Sequence, residues 1–199
     1  SQTSLAYAGQ GVNRKLHVSQ DPNPLQLPLV RGRAKAAPPL TRGGWEGFEF
    51  ESLSKGNSVI AIGCGMGRDM AAQKLLYVAL RTGAALVLDA DALNILALRP
   101  DLRDDLQNRK AATVLTPHPG EAARLLGCEI KEVQADRVEA VQQLAQKFAC
   151  SVVLKGADSL CATRDGRLFV NHTGNPGMSS AGMGDVLTGM IAAFIAQGL

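Results

Sequence analysis

The sequence lacks several features that mark large classes of protein. No apolar run reaches the roughly 18 residues needed to cross a bilayer, so we expect neither a membrane span nor a membrane partner. No GxxxxGK[ST] segment is present, which excludes the P-loop nucleotide-binding proteins. The four cysteines form no CxxC pair and have no zinc-site spacing. We therefore predict free, buried thiols, a reducing compartment and a cytoplasmic location.

An excess of positive charge is also missing from most of the chain. The 199 residues include 21 Lys or Arg and 18 Asp or Glu, a net charge of +3. Residues 1–55 hold seven of the basic and four of the acidic residues. Residues 56–199 therefore hold fourteen of each and carry no net charge. A nucleic-acid-binding domain concentrates basic charge on its folded part. Nucleic acid is therefore not an expected partner.

Proline is concentrated at the start of the chain, where five of the nine prolines fall within the first forty residues. Pro-rich polar sequence buries too little apolar surface to fold alone. We predict a Pro-rich basic leader, irregular or partly disordered, over residues 1–57. Residues 58–199 are rich in Ala, Leu, Val and Gly and are predicted to form the folded domain.

Short apolar runs alternate with helical periodicities along this domain. Strands are predicted at 58–62, 85–89, 112–116, 151–155, 159–163 and 168–170. Helices are predicted at 69–81, 90–97, 119–126, 129–150 and 183–196, the last with its apolar residues on one face. Apolar strands that do not alternate in polarity, with helices between them, are typical of a parallel sheet, and Asp165-Gly166 indicates a hairpin between the last two strands. The predicted fold class is α/β, with three layers and helices on both faces of a mostly parallel sheet.

Ligands of such sheets bind beyond the carboxyl ends of the strands, so the segments that follow each strand are the candidate sites. The first strand is followed by GCGMG at 63–67, where glycines permit close approach of a ligand to the backbone. This GxGxG pattern differs by one residue from the GxGxxG of dinucleotide-binding folds. The segment at 63–67 therefore forms either a tight strand–helix turn or an anion-binding site. Asp89 closes the second strand, where a dinucleotide fold would place its ribose-binding acid.

Two further strand ends carry titratable side chains. His118 lies between two prolines, and Glu121 falls in the first turn of the following helix. This pair either caps the helix or orients a substrate and holds Mg²⁺ through water. Lys155 ends an apolar strand, so its charge must reach solvent or a partner, and a phosphate is one such partner.

The strongest signal is the segment NHTGNPGMSSAGMGD at 171–185, which leads directly into the last helix. Four glycines within eleven residues favour a loop whose N–H groups turn inward. The helix start adds its positive dipole end, so we predict an anion hole for a transferring phosphoryl group. Asp185 lies beside that hole and is placed to accept a proton from an attacking hydroxyl. A simple N-cap aspartate is the alternative.

These motifs together resemble the ADP/ATP-dependent NAD(P)H-hydrate dehydratase family of the ribokinase-like superfamily. The resemblance rests on LTPHPGEAARLLG (115–127), VVLKGA (152–157), residues 174–199, GCGMG and VLDADALN (87–94). It covers residues 58–199. The family's first motif is not found in residues 1–57, the family continues beyond residue 199, and Cys64 replaces a usual proline. We therefore expect a domain truncated at both ends.

The resemblance implies that phosphate from ADP or ATP is transferred to the hydroxyl of the S epimer of hydrated NADH or NADPH and then eliminated. Asp185 is the implied catalytic base. The implied nucleotide-binding residues are Lys155, Gly156, Ala157, Asp158, Ser159, Gly182, Met183 and Gly184. The implied substrate-binding residues are Gly65, Gly67, His118 and Asp185. Glu121 is implied to position Mg²⁺ indirectly.

The same resemblance implies partners. A fused or separate NAD(P)H-hydrate epimerase and a homo-oligomer are expected, and the AGMGD segment favours ADP over ATP. Two other functions remain open on the sequence. One is a ribokinase-like kinase for another small alcohol, which would share Asp185 and the anion hole. The other is a non-catalytic nucleotide-binding fragment.

Overall fold

The structure is a computed structural model, and it describes residues 59–198. The predicted leader and Ser58 lie outside the described residues, so the domain boundary at 57/58 stays a prediction. Six strands form one sheet in the order β1-β2-β3-β4-β5-β6. The strands are β1 (Val59–Ile62), β2 (Ala85–Leu88), β3 (Thr113–Leu115), β4 (Ser151–Leu154), β5 (Ser159–Ala162) and β6 (Leu168–Asn171).

Strands β1 to β4 are parallel, and β5 and β6 are antiparallel to their neighbours. The predicted hairpin at Asp165-Gly166 is therefore confirmed. Seven α-helices lie within residues 59–198, and none of them is long and apolar enough to cross a membrane. The helices are α1 (Met70–Leu80), α2 (Ala90–Leu98), α3 (Pro100–Gln107), α4 (Pro119–Leu126), α5 (Ile130–Ala135), α6 (Arg137–Phe148) and α7 (Met183–Ala196).

The two faces of the sheet are buried to different extents. Side chains alternate between faces along a strand, and residues paired across strands share a face. Leu88, Leu115 and Val152 are paired in register and belong to one core cluster with residues of α1 to α6. Helix α7 contributes nothing to that cluster and contacts β1 and β2 instead. It therefore lies on the opposite face, so the predicted three layers are confirmed.

The prediction of one helix over 129–150 is wrong. The chain forms α5 and α6 with a break at Asp136, whose carboxylate accepts a hydrogen bond of 2.9 Å from the Glu139 N–H. Aspartate is a favoured N-cap residue because its side chain satisfies a backbone donor at the helix start. The apolar spacing runs through this break, so periodicity alone joined the two helices.

Helix α3 was not predicted. It begins at Pro100, which suits the first helical position, and it buries Leu102 and Leu106 one turn apart. Helix α7 was predicted correctly, but its apolar residues do not share one buried face. Val186 and Met190 are exposed, and Thr188 is its one buried side chain.

The cysteines are all free thiols, as predicted. Burial is not uniform, however. Cys150 is buried, Cys128 and Cys161 are half-buried, and Cys64 is exposed. The prediction of buried thiols therefore holds for Cys150 and is wrong for Cys64, which follows β1 in the exposed GCGMG turn.

Candidate functional site

The carboxyl ends of the four parallel strands are joined by backbone hydrogen bonds. The Asp89 N–H donates to the Ile62 carbonyl at 3.1 Å, and the Thr116 N–H donates to the Leu88 carbonyl at 3.1 Å. The Lys155 N–H donates to the Pro117 carbonyl at 2.9 Å. The segments that the sequence marked at these strand ends therefore lie side by side along one edge of the sheet.

The GCGMG turn passes close to the end of β2 and requires glycine at its first position. Gly63 has φ +127°, and a Cβ there would lie 1.8 Å from the Asp89 carbonyl oxygen. Gly67 donates its N–H to the Asp91 carboxylate at 2.9 Å. The predicted substrate residues Gly65 and Gly67 are both exposed at the edge of the sheet.

An ion pair between a buried aspartate and a half-buried lysine occupies the centre of this edge. Asp89 is 2% exposed, and one of its oxygens accepts hydrogen bonds from the Lys155 ammonium at 2.7 Å and from the Ala90 N–H at 2.8 Å. The other oxygen accepts a hydrogen bond of 3.0 Å from the Thr188 hydroxyl. The Lys155 ammonium also lies 3.9 Å from the Glu121 carboxylate. Within the described residues, the partner that Lys155 requires is thus a carboxylate of the protein.

His118 and Glu121 form the N-terminal cap of α4. The buried Glu121 carboxylate accepts a 2.8 Å hydrogen bond from the His118 N–H, while Nδ1 of His118 accepts one of 3.0 Å from the Gly120 N–H. Because Nδ1 accepts, the ring proton is on Nε2, which lies 3.3 Å from the second Glu121 oxygen. The capping interpretation is confirmed. The imidazole remains about half exposed, so it is accessible to a ligand.

The predicted magnesium role of Glu121 stays a prediction. Both of its oxygens already face His118, and one faces Lys155. Among residues 59–198, no three His, Cys, Asp or Glu side chains converge in a way that could hold a metal ion. Mg²⁺ is commonly held by substrate phosphates and water with few protein ligands. The residues present fit an ion that arrives with a nucleotide better than one held by the protein alone.

An arginine, Arg137, binds the backbone of the predicted nucleotide loop, residues 155–159. Arg137 begins α6, and its guanidinium donates to the carbonyls of Leu154, Lys155 and Ala157. Gly156 has φ +146°, and a Cβ there would lie 2.8 Å from Arg137 Nη2. A side chain at this position would therefore clash with the guanidinium.

The outer part of the loop is held by its own side chains. Asp158 lies 2.8 Å from His172 Nδ1, and the Ser159 hydroxyl donates to the Gly156 carbonyl at 3.0 Å. Ala157 and Asp158 are exposed. This part of the loop is thus ordered by local contacts and faces outward, where a ligand can reach it.

The glycine-rich segment leads to an uncapped helix start. Gly182 is the N-cap residue of α7 with φ +87°, and no described side chain caps the helix. The first N–H groups of a helix have no partners within it, and its dipole attracts anions there. Met183 and Gly184 begin this turn, and a Cβ on Gly184 would lie 3.5 Å from the Asp89 carboxylate and 3.6 Å from Lys155 Nζ. The predicted anion hole therefore lies directly against the ion pair of Asp89 and Lys155.

Asp185 is exposed in the first turn of α7 and meets the GCGMG turn. Partial burial of the Cys64 thiol, and after it the nearby carboxylates of Asp185 and Asp89, raises the pKa of Cys64 to about 12. The predicted base and the predicted substrate turn, which are far apart in sequence, are thereby neighbours.

The structure thus brings together the GCGMG turn, the His118–Glu121 cap, Lys155 and the start of α7. Sequence reasoning missed Thr188 and Arg137, and it did not identify Asp89 as the partner of Lys155. The unusual polar residue at an inward position of α7 is the one signal that would have pointed to Thr188. The pairing of Lys155 with Asp89 spans 66 residues and has no local signal.

The family model for NAD(P)H-hydrate dehydratase matches residues 15–199, which starts ahead of the predicted domain boundary at residue 58. An ADP-dependent (S)-NAD(P)H-hydrate dehydratase from Neisseria meningitidis is 45% identical over 153 residues, which cover 75% of this chain and 51% of the relative. A bifunctional NAD(P)H-hydrate repair enzyme from Coxiella burnetii is 42% identical over 151 residues, 76% of this chain and 30% of that relative.

Among solved structures, the ADP/ATP-dependent NAD(P)H-hydrate dehydratase from Bacillus subtilis, co-crystallised with ATP and Mg²⁺, matches with a TM-score of 0.61 at 29% identity. That match covers 74% of this chain and 52% of the Bacillus protein. The predicted ribokinase-like three-layer fold is confirmed. This chain spans about half the length of the Neisseria relative. It belongs to the NAD(P)H-hydrate dehydratase family.

Proposed function

We propose that this chain dehydrates the S epimer of hydrated NADH or NADPH at the expense of ADP or ATP. The observation that carries the proposal is the uncapped start of α7, where Gly182 to Gly184 and the exposed Asp185 lie together at the edge of the sheet. The Met183 N–H donates to the Ser180 carbonyl at 3.3 Å, and the other N–H groups of this turn are placed to bind a transferring phosphate. A carboxylate beside them accepts a proton. The name of the Neisseria relative supports ADP as the phosphate donor.

The reaction proceeds in two balanced steps. The hydroxyl oxygen of the hydrate attacks the terminal phosphorus of the nucleotide, Asp185 accepts the hydroxyl proton, and the shortened nucleotide leaves. The lone pair of the ring nitrogen then expels the phosphate, and transfer of a neighbouring ring proton to water or to the departing phosphate restores the nicotinamide double bond. Phosphate leaves far more readily than hydroxide, which explains why a nucleotide is consumed to remove water.

Each described group has a part in this scheme. The N–H groups at Gly182, Met183 and Gly184 stabilise charge on the transferring phosphate. Residues 155–159 border the nucleotide, and Gly65, Gly67 and His118 border the hydrate. Mg²⁺ carried by the nucleotide phosphates would neutralise part of their charge, with Glu121 positioned to act on it through water.

Replacing Asp185 with Asn tests the proposed base. We expect kcat for recovery of NADH absorbance from its hydrate to fall by about 10² to 10⁴, because the amide does not accept the proton. ADP binding, measured by calorimetry, should stay within about twofold, which corresponds to about 0.4 kcal/mol. Asp165→Asn is the matched control, since Asp165 is an exposed acid on the β5–β6 hairpin, and it should leave kcat unchanged.

Other outcomes separate the alternative functions. Full turnover by Asp185→Asn would overturn the assignment of the base. A stable phosphorylated product without release of phosphate would favour a ribokinase-like kinase of another small alcohol. Folded protein that binds neither ADP nor ATP would favour a non-catalytic fragment.

We infer the same partners that the family resemblance implies. The substrate is hydrated NADH or NADPH, and an NAD(P)H-hydrate epimerase, fused or separate, would supply its S epimer. The name of the bifunctional Coxiella relative supports this pairing. Homo-oligomer formation and the cytoplasmic location stay predictions.

A further inference from the structure

We infer that Thr188 is a positioning residue that, through its hydrogen bond to Asp89, fixes the place of Asp185 at the edge of the sheet. This inference rests on the proposed function, in which Asp185 is the base. It assigns a role to a residue that lies outside the anion hole and outside the nucleotide loop.

The first observation is how helix α7 sits on the sheet. Thr188 is 3% exposed and is the one buried side chain among the described residues of α7. Leu187, Ile191 and Ile195 are only half-buried and Val186, Met190 and Phe194 are exposed, so no apolar side chain of α7 is fully buried. Apolar contacts are not directional, whereas a hydrogen bond fixes distance and angle. The position of the start of α7 therefore depends strongly on the polar contact of Thr188.

The second observation concerns the hydrogen bonds that the buried Asp89 carboxylate accepts. Its carboxylate is buried, and Lys155 and the Ala90 N–H both bond to the same oxygen. Thr188, at 3.0 Å, is the donor to the other oxygen among the described residues. Removing the hydroxyl would leave a buried, charged acceptor without its partner, which costs more than the loss of an exposed hydrogen bond. The helix would shift on Asp89, whose other oxygen Lys155 and the Ala90 N–H still hold.

The third observation links this contact to the reacting groups. Thr188 follows Asp185 by three residues, so the two lie on the same side of the helix. Gly184 lies against the Asp89 carboxylate that Thr188 bonds, since a Cβ on Gly184 would lie 3.5 Å from that carboxylate. A shift of α7 on Asp89 would therefore displace the base and the anion hole together. The nucleotide loop, which Arg137 supports separately, would stay in place.

The test compares Thr188→Val, which removes the hydroxyl without changing the size of the side chain, with Thr188→Ser, which keeps it. Thr188→Val should lower kcat by about tenfold to a hundredfold, since a small misplacement of reacting groups has effects of that size. The KM for ADP should change less than kcat, because Arg137 still holds the nucleotide loop when the start of α7 shifts. Thr188→Ser should restore most of kcat.

Amide hydrogen exchange on α7 gives a readout that does not depend on activity. The amides of its first two turns should exchange faster in Thr188→Val than in the wild type, and Thr188→Ser should return them toward the wild-type rate. Val186→Thr is the matched control, because it makes the reverse exchange at an exposed position two residues away. It should leave both the exchange rates and kcat unchanged.

The outcomes are distinguishable. Wild-type kcat and wild-type exchange in Thr188→Val would overturn the positioning role, and so would a raised KM for ADP with unchanged kcat, which would indicate a nucleotide contact. A wild-type chain that shows no turnover would overturn the proposed function, while the exchange comparison would still decide the role of Thr188. If Thr188→Val does not fold, Thr188→Cys, with its weaker donor, should give a lower kcat and faster exchange than Thr188→Ser, and values equal to those of the wild type would overturn the role.

Discussion

At the scale of single residues, the Cys64 thiol reports on the state of Asp185. Partial burial contributes most to the raised pKa of this thiol, and the charge of the proposed base contributes further. The Cys64 pKa of about 12, raised from 9.0, leaves about a thousandth of the thiolate that an ordinary cysteine has near pH 8. An exposed thiol with so little thiolate reacts slowly despite its accessibility.

Substituting Asp185 with Asn should therefore speed alkylation of Cys64. The amide removes the negative charge beside the thiol, so the pKa of Cys64 falls and the thiolate fraction rises. We expect the rate of modification by iodoacetamide at pH 8, followed by mass spectrometry of the Cys64 peptide, to increase severalfold. Asp165→Asn should leave the rate unchanged. An equal rate in Asp185→Asn and wild type would contradict the contact.

The residues found from sequence and those missed differ in how local their signals are. Asp185 and the glycines before it were predicted because one short segment contains them all. Lys155 was recognised as a charge that needs a partner, yet its partner, Asp89, follows a different strand. The sheet register and the strand order that join them depend on packing, which local patterns do not encode. The role of Thr188 depends on the same tertiary arrangement.

At the scale of elements, the break between α5 and α6 has a consequence for the nucleotide loop. Asp136 ends one helix and caps the next, which places Arg137 in the first turn of α6. From there its guanidinium reaches the carbonyls of residues 154, 155 and 157. The sequence predicted one continuous helix because apolar residues recur at helical spacing on both sides of Asp136. The competing preference of aspartate for an N-cap position decided the outcome.

Arg137→Lys should therefore weaken nucleotide binding. Lysine keeps the charge but does not offer a planar fork of donors to several carbonyls at once. Loss of hydrogen bonds from a charged donor should raise the KM for ADP by about tenfold, with kcat within about twofold. Arg124→Lys is the control, since Arg124 is exposed on α4 and bonds Asn94 instead of the loop. A change confined to kcat, with an unaltered KM, would contradict this role.

At the scale of the whole molecule, the two edges of the sheet formed by the carboxyl and the amino ends of the parallel strands carry different groups. The carboxyl edge carries the ion pair, the glycine turns and the start of α7. The amino edge contains one buried arginine, Arg109, which is 7% exposed. Its guanidinium donates to the carbonyls of Ala79, Leu80, Thr82 and Ala84 and to the hydroxyl of Thr113.

This network joins the end of α1, the turn before β2 and the start of β3. The last carbonyls of a helix have no partners within it, so a buried helix end needs donors from elsewhere. Arg109 supplies donors to this helix end, and it does so on the edge of the sheet away from the proposed site. We therefore expect stability and the proposed activity to be separable by substitution, because different charged residues lie at the two edges.

Arg109→Lys should lower the free energy of unfolding by about 3 kcal/mol, because three donors on a flexible stem leave buried carbonyls without partners. In urea the midpoint should fall by about 1.5 M with an unchanged slope. Arg167→Lys, at an exposed ion pair with Asp165, should change the unfolding free energy by less than about 0.5 kcal/mol. KM and kcat of the folded fraction of Arg109→Lys should equal those of the wild type, since no contact of Arg109 reaches the carboxyl edge. A loss of activity without a loss of stability would show that the two edges are coupled.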